Sequence, residues 1–142
     1  MKKIFLDTNI ILDFLLKRES FFEESREIVA LGYNHVCELY LSSLSFSNIA
    51  YIARKKYVGC ALYECLSEVR EFVEVSEVGQ NVVDLAIALK AKDFEDAMQY
   101  FSAKEIGADC IVTRNVKDFE FAEMEVLTPH EFLEKIESKP FR

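Results

Sequence analysis

The chain has 142 residues, 51% of them hydrophobic and 30% charged, with four glycines, two prolines and a formal net charge of −8. That length is one ordinary domain, able to bury a core without disulfides or a structural metal, and the composition excludes a disordered, collagen-like or linker-rich protein. The acidic balance argues against a protein whose main task is to coat nucleic acid, which needs clustered Lys and Arg. It leaves open an enzyme acting on nucleic acid, because carboxylates that bind a divalent cation contribute negative charge of their own.

The apolar runs Ile10–Leu12 and Phe14–Leu16 are short and separated by Asp13, far from the roughly 18–20 residues of a membrane span. Met1-Lys2-Lys3 begins like a secretory leader, but Asp7 and Asp13 interrupt the apolar part and no small-residue cleavage site follows. A soluble cytoplasmic protein is expected. Cys37, Cys60, Cys65 and Cys110 form no C-x-x-C pair and each sits among apolar residues, which reads as buried free thiols. His35 and Cys37 are too isolated for a zinc site.

Lys3–Leu6 is a short apolar run that stops at Asp7-Thr8-Asn9, followed by a mostly apolar stretch from Ile10 to Leu16. This reads as a buried central strand, a turn and a helix. Ser20-Phe21-Phe22-Glu23 has the capping-box pattern, predicting a helix toward Gly32. Val36–Leu41 is strand-like and leads into a Ser-rich turn, Ser42–Ser45. Phe46, Ile49, Ala50, Ala53 and Tyr57 then follow helical spacing, as do Leu62, Cys65, Leu66, Val69 and Val73 after Gly59.

Val73–Ser76 is a short strand. Asn81 is positioned to cap a helix through about Ala91, and Asp93 to cap the next, whose end is set by Gly107. Cys110–Thr113 is a second buried strand and Met124–Leu127 a last short one. Thr128-Pro129-His130-Glu131 opens a terminal helix that buries Phe132, Leu133 and Ile136. Strands alternating with helices predict one α/β domain over 1–142, an α/β/α sandwich with a parallel sheet and helices on both faces.

In open α/β sheets ligands bind at the carboxyl ends of the strands. The polar residues expected there are Asp7, Thr8 and Asn9; Ser42 and Ser43, with Asn48 about a turn further; and Thr113, Arg114, Asn115 and Asp118. Asp93, Glu95 and Asp96 open the helix that leads into the second buried strand. Asp7 has the place of a helix cap, but apart from its neighbours and Asp13 no other side chain in the first fifteen residues could serve chemistry, so it reads as a site residue. Asp93 reads as a cap, whereas Asp96, at the third helical position and followed by small Ala97, reads as functional. Carboxylates from separate strand ends, with amide and hydroxyl oxygens, describe a Mg²⁺ or Mn²⁺ site able to support phosphodiester hydrolysis.

These residues carry a resemblance. Leu6-Asp7-Thr8-Asn9-Ile10-Ile11-Leu12-Asp13 resembles the opening of PIN-domain ribonucleases, which include VapC-like toxins of toxin–antitoxin pairs. Asp93-Phe94-Glu95-Asp96-Ala97 resembles the family's third acidic motif, and Gly107 to Phe119 its closing motif. Ser42 to Asn48 stands where the second belongs. Each motif alone is weak; four in order over Lys3 to about Thr128 are strong.

The resemblance implies a PIN-like sandwich with about five parallel strands and a metal-dependent endonuclease acting on single-stranded or structured RNA. It implies metal ligation by Asp7, Asp96 and Asp118, with Asn115 sharing the fourth position, and an antitoxin partner or a homodimer. Arg114 and Lys117 flank the site as phosphate-binding candidates, while Arg54-Lys55-Lys56 reads as a solvated helix end. The sequence departs from the family at Asn48, where Glu is usual. Asn keeps a carbonyl acceptor that can hold a water of a bound ion but brings no charge. Asn48 thus marks either a subgroup that works with Asn or a catalytically weakened module that binds RNA or a protein. A dehalogenase-like phosphatase would need Asp at position 9, and a phospho-acceptor receiver domain would need acids where Lys2-Lys3 stand.

Overall fold

Each strand of the sheet is short, and the central ones are buried on both faces. A computed structural model of the protein describes residues 1–138. β1 (Lys3–Leu6) pairs in parallel with β2 (Glu38–Ser42) on one side and with β4 (Cys110–Val112) on the other, Phe5 lying opposite Tyr40 and Ile111. β3 (Val73–Ser76) adds to β2 and β5 (Glu125–Leu127) to β4, both in parallel, giving the order β3-β2-β1-β4-β5. The chain builds outward from β1 in one direction and then returns to build in the other. The β1/β4 boundary is therefore the switch point where a crevice opens at the carboxyl edge.

Side-chain alternation along the strands sorts two cores. Ile4, Leu6, Cys110 and Val112 face a large cluster closed by α1 (Thr8–Leu15), α2 (Phe22–Tyr33), α3 (Ser43–Ala53), α4 (Cys60–Phe72) and α7 (Pro129–Ser138). Phe5 and Ile111 face a smaller one with Tyr100 and Ala103 of α6 (Phe94–Glu105) and with Phe119. α5 (Gln80–Leu89) packs against α6. The expected α/β/α sandwich with five parallel strands is the observed architecture. Among the described residues no helix is long and apolar enough to cross a membrane.

Several local expectations are corrected. The Ser20 capping box does not form: Ser20 has φ +77°, and α2 starts at Phe22 behind Phe21 with no side-chain cap. The carbonyl of Arg18 takes the N–H groups of Phe21 and Phe22, so a backbone turn does the capping. Asn81 is not a cap, since α5 begins at Gln80 after Gly79. α1 starts at Thr8 rather than Ile10. The Ser-rich stretch is helix rather than turn, because Ser42 Oγ accepts from Ser45 N and starts α3 at Ser43, and that helix ends at Ala53, short of Tyr57. β2 starts at Glu38, since the N–H groups of Val36 and Cys37 both go to the Leu31 carbonyl at the end of α2.

Cys60 is exposed at the start of α4, while the other three thiols are free and buried as expected. The caps at Asp93 and Thr128 form, Thr128 and Glu131 exchanging backbone and side-chain bonds, and the turn after α6 closes at Gly107 with φ +68°.

Candidate active site

Asp7 ends β1 and caps α1. Its Oδ1 accepts from Thr8 N at 2.9 Å, and its Oδ2 accepts from Thr113 Oγ1 at 2.8 Å across the β1/β4 switch point. Thr113 is fixed in turn: its N–H donates to the Leu127 carbonyl and its Oγ1 accepts from Asn115 N. Burial raises the Asp7 pKa, the bonds from Thr113 and Thr8 lower it, and nearby Asp118 raises it again. Capping and membership of a polar site coexist in this residue.

Asp96 is the third residue of α6, its N–H held by Asp93 Oδ1 at 3.1 Å. Burial first, then the charges of Asp93, Asp7, Asp118 and Glu95, push its pKa up to about 7. Glu95 beside it is also raised, by burial and then by Asp93 and Asp7, with a hydrogen bond from Asn48 opposing. That bond runs from Asn48 Nδ2 to Glu95 Oε1 at 3.0 Å and links α3 to α6. Among the described residues no backbone group engages the Asn48 side chain, so it is not a fastener of the Ser-rich segment.

A one-turn 3-10 helix, Val116–Phe119, follows β4 and presents Asp118, with Asn115 just before it. Asp7, Asn48, Glu95, Asp96, Asn115 and Asp118 line one cleft of about 390 Å³ at the carboxyl edge of the sheet. A second concavity of about 630 Å³ shares Asp93, Asp96 and Asp118 and adds Lys92 and Lys117. Both Asn115 and Asp118 reach the first cleft, and Lys117 lines the second.

Arg114 is engaged elsewhere. Its Nε lies 2.9 Å from Asp13 Oδ2, and its guanidinium stacks 4.0 Å from the Phe21 ring centroid. Arg18 completes the pair with Asp13, whose side chain is 1% exposed. The structure therefore joins Asp7, Asn48, Asp96, Asn115 and Asp118, places Lys117 at the neighbouring rim, and ties Arg114 to a buried acid.

Beneath the cleft lies a buried polar layer. Gln99 Nε2 donates to Ser45 Oγ at 2.9 Å, and Ser45 Oγ lies 2.7 Å from Thr8 Oγ1. Thr8 adjoins Asp7, Ser45 is three residues before Asn48, and Gln99 three after Asp96. The layer thus ties together the three helices that carry the site, with the Gln99 Oε1 buried and unpaired.

Among the described residues no three His, Cys, Asp or Glu side chains form a ready-made cage for an ion. The donor chemistry nonetheless fits Mg²⁺ or Mn²⁺. Every polar group named in the cleft offers oxygen, burial and the surrounding carboxylates raise the Asp96 pKa to about 7, which positive charge in the cleft would lower, and magnesium takes only one or two protein carboxylates, completing its shell with water and substrate oxygens.

Sequence reasoning assigned Glu95 and Thr113 no role. Glu95 was legible as an acid in the first turn of α6, but its partner lies 47 positions away on α3. Thr113 was legible as the polar end of a buried strand and as one of the residues expected at the carboxyl edge, but its bond to Asp7 was not. Asp13 was legible too, as a lone acid in an apolar helix, which demands a buried partner.

The sequence profile of the PIN domain matches residues 3–117. Ribonuclease VapC1 of Aquifex aeolicus is 30% identical over 142 aligned residues, covering 94% of this chain and 95% of that protein. Among solved structures, a toxin–antitoxin complex from Klebsiella pneumoniae contains a chain with TM-score 0.67 at 21% identity, covering 90% of this chain and 98% of that one. VapBC-1 from nontypeable Haemophilus influenzae gives TM-score 0.67 at 18% identity, again over 90% and 98%. The two structures speak to the fold, and the profile match together with the Aquifex relative gives the family: this chain belongs to the PIN-domain proteins.

Proposed function

We propose that the protein is an endoribonuclease that hydrolyses phosphodiester bonds of single-stranded RNA with Mg²⁺ or Mn²⁺, as the toxin of a toxin–antitoxin pair. The observation that carries this is the convergence of Asp7, Asp96 and Asp118 on one oxygen-lined cleft at the switch point of the sheet. Nuclease activity is supported by likeness to a relative named as a ribonuclease, over nearly its whole length.

Asp7, Asp96 and Asp118 would hold the cation, which when bound supplies an activated water and offsets the charge developing on the phosphodiester. Asp7 is kept in place by Thr8 N and Thr113 Oγ1. In the free protein burial and the neighbouring carboxylates raise the Asp96 pKa to about 7, and positive charge in the cleft would lower it, favouring the ionised form that can hold a cation. Lys92 and Lys117 at the rim are placed to meet RNA phosphates, which position a strand without reading its sequence. Tyr51, which lines the cleft and is 67% exposed, offers a face on which an unpaired base can stack.

An antitoxin partner is supported by the fold's likeness to a chain of a toxin–antitoxin complex, and exposed Tyr51, Ile52 and Tyr63 give such a partner apolar surface.

One observation favours a second reading. Asn48 brings no charge to the cleft, which suits a module that binds RNA or protein without cutting. The experiment is cleavage of a labelled single-stranded RNA with Mg²⁺, Mn²⁺ or chelator. Metal-dependent cleavage that Asp7→Asn removes supports the nuclease. Binding of the same RNA without cleavage in either metal supports the module.

A further inference from the structure

Asn48 is the weak point of the cleft if each wall must contribute its own acid. α3 brings only an amide there. Yet that amide is not idle: its Nδ2 donates to Glu95 Oε1 at 3.0 Å, from a helix that already carries Asp96. Glu95 lines the same cleft as Asp7, Asn48, Asp96 and Asp118. We propose that Glu95 is the fourth acid of the cation site, swung from α6 toward the α3 wall and held there by Asn48, so that the chain carries on α6 the charge that position 48 lacks. This inference deepens the nuclease reading and rests on it.

Three features of the arrangement support it. An exposed Glu in the first turn of a helix needs no partner, since the helix dipole already favours it. Here the side chain instead bonds to a neighbouring helix across the cleft. The bond uses the nitrogen of Asn48, and a Glu or Asp at position 48 would offer no donor and would repel Glu95. Asn is therefore a residue that suits an acid at 95, and the departure at 48 and the acid at 95 explain each other. The bond also leaves Glu95 Oε2 without a hydrogen-bond partner among the described residues and available to a cation or its water. In these terms Glu95 is a ligand-shell acid and Asn48 a positioning residue that acts through it.

The test is Mn²⁺ binding by titration calorimetry on the full chain without RNA, beside single-turnover RNA cleavage. Glu95→Gln keeps an oxygen for Asn48 Nδ2 and removes only the charge, so the fold is preserved. It is expected to weaken Mn²⁺ binding by roughly 10–100-fold, the scale for partners of a metal site. Asn48→Ala should weaken binding in the same direction, but add little in the Glu95→Gln background because the two act through one side chain. Asn48→Glu in the Glu95→Gln background should restore most of the affinity, which a merely structural bond would not do.

Mn²⁺ affinity in Glu95→Gln within about twofold of the unmodified chain, with Asp7→Asn abolishing binding, overturns the proposal and leaves the nuclease reading standing. Absence of Mn²⁺ binding in the unmodified chain overturns both.

Discussion

The Thr113 hydroxyl donates to Asp7 Oδ2 at 2.8 Å, so the residue just past one central strand is fastened to the residue just past its neighbour, across the switch point of the sheet. The bond does two things. It satisfies an acid that burial would otherwise drive toward its protonated form, and it leaves Oδ1 to cap α1. Thr113→Val keeps the shape and removes the donor. It is expected to lower single-turnover RNA cleavage by roughly 10–100-fold while costing about 1 kcal/mol of stability. Cleavage kinetics beside thermal unfolding of the same variant checks this.

The proposed cation site links stability to cation. Mn²⁺ at 100 times its Kd should stabilise the native protein by about 2.7 kcal/mol if it binds the folded state alone. Asp7→Asn should remove most of the resulting rise in Tm. The check is thermal unfolding across a Mn²⁺ titration.

The same cluster sets a pH dependence. The groups facing Asp96 are Asp93, Asp7, Asp118 and Glu95, and together with burial they raise its pKa from 3.8 to about 7. Between those values the folded state binds more proton at this site than the unfolded state, so Asp96 makes stability fall as pH rises through that window. Asp96→Asn should therefore be more stable than the unmodified, cation-free chain at pH 8, and the difference should shrink to nothing by about pH 4. Urea unfolding at the two pH values measures it.

Asp13 tests the support beneath the cleft rather than the chemistry. It is buried between Arg18 and Arg114, and removing it takes the acid from both guanidiniums, Arg18 keeping its bond to Asn9 Oδ1. A fully buried pair broken in this way costs about 3–5 kcal/mol. Both arginines here keep some solvent contact, so Asp13→Ala is expected to cost about 1–3 kcal/mol. Denaturant unfolding checks it, and loss of the Phe21–Arg114 stack should accompany it.

Much of this was legible in the sequence because the informative signals are local. Lys3–Leu6 and Cys110–Thr113 read as buried strands because both are apolar runs; the second stops one residue earlier, at Val112, so Thr113 joins Asn115 in the turn that follows it as Asp7 does after the first. Asp93 read as a cap because its partner is three residues away. The failures share a cause. Ser20 lost its cap to the carbonyl of Arg18, and the serines after Ser42 were taken into α3 by a cap that composition alone reads as a turn. Glu95 and Arg114 took partners 47 and 101 positions away, on elements brought together only by the fold. Spacing along a chain carries no information about such pairings.

As proposed, the cleft between β1, α3, α6 and the 3-10 turn is a cation-dependent phosphodiesterase site. Single-turnover cleavage of an end-labelled single-stranded RNA across a Mn²⁺ titration, comparing the unmodified chain with Asp96→Asn, tests it most directly. The rate should rise with Mn²⁺ to saturation in the unmodified chain and be at least about 100-fold lower in the variant at every concentration. Equal rates in the two proteins, or cleavage that persists in excess chelator, would contradict it.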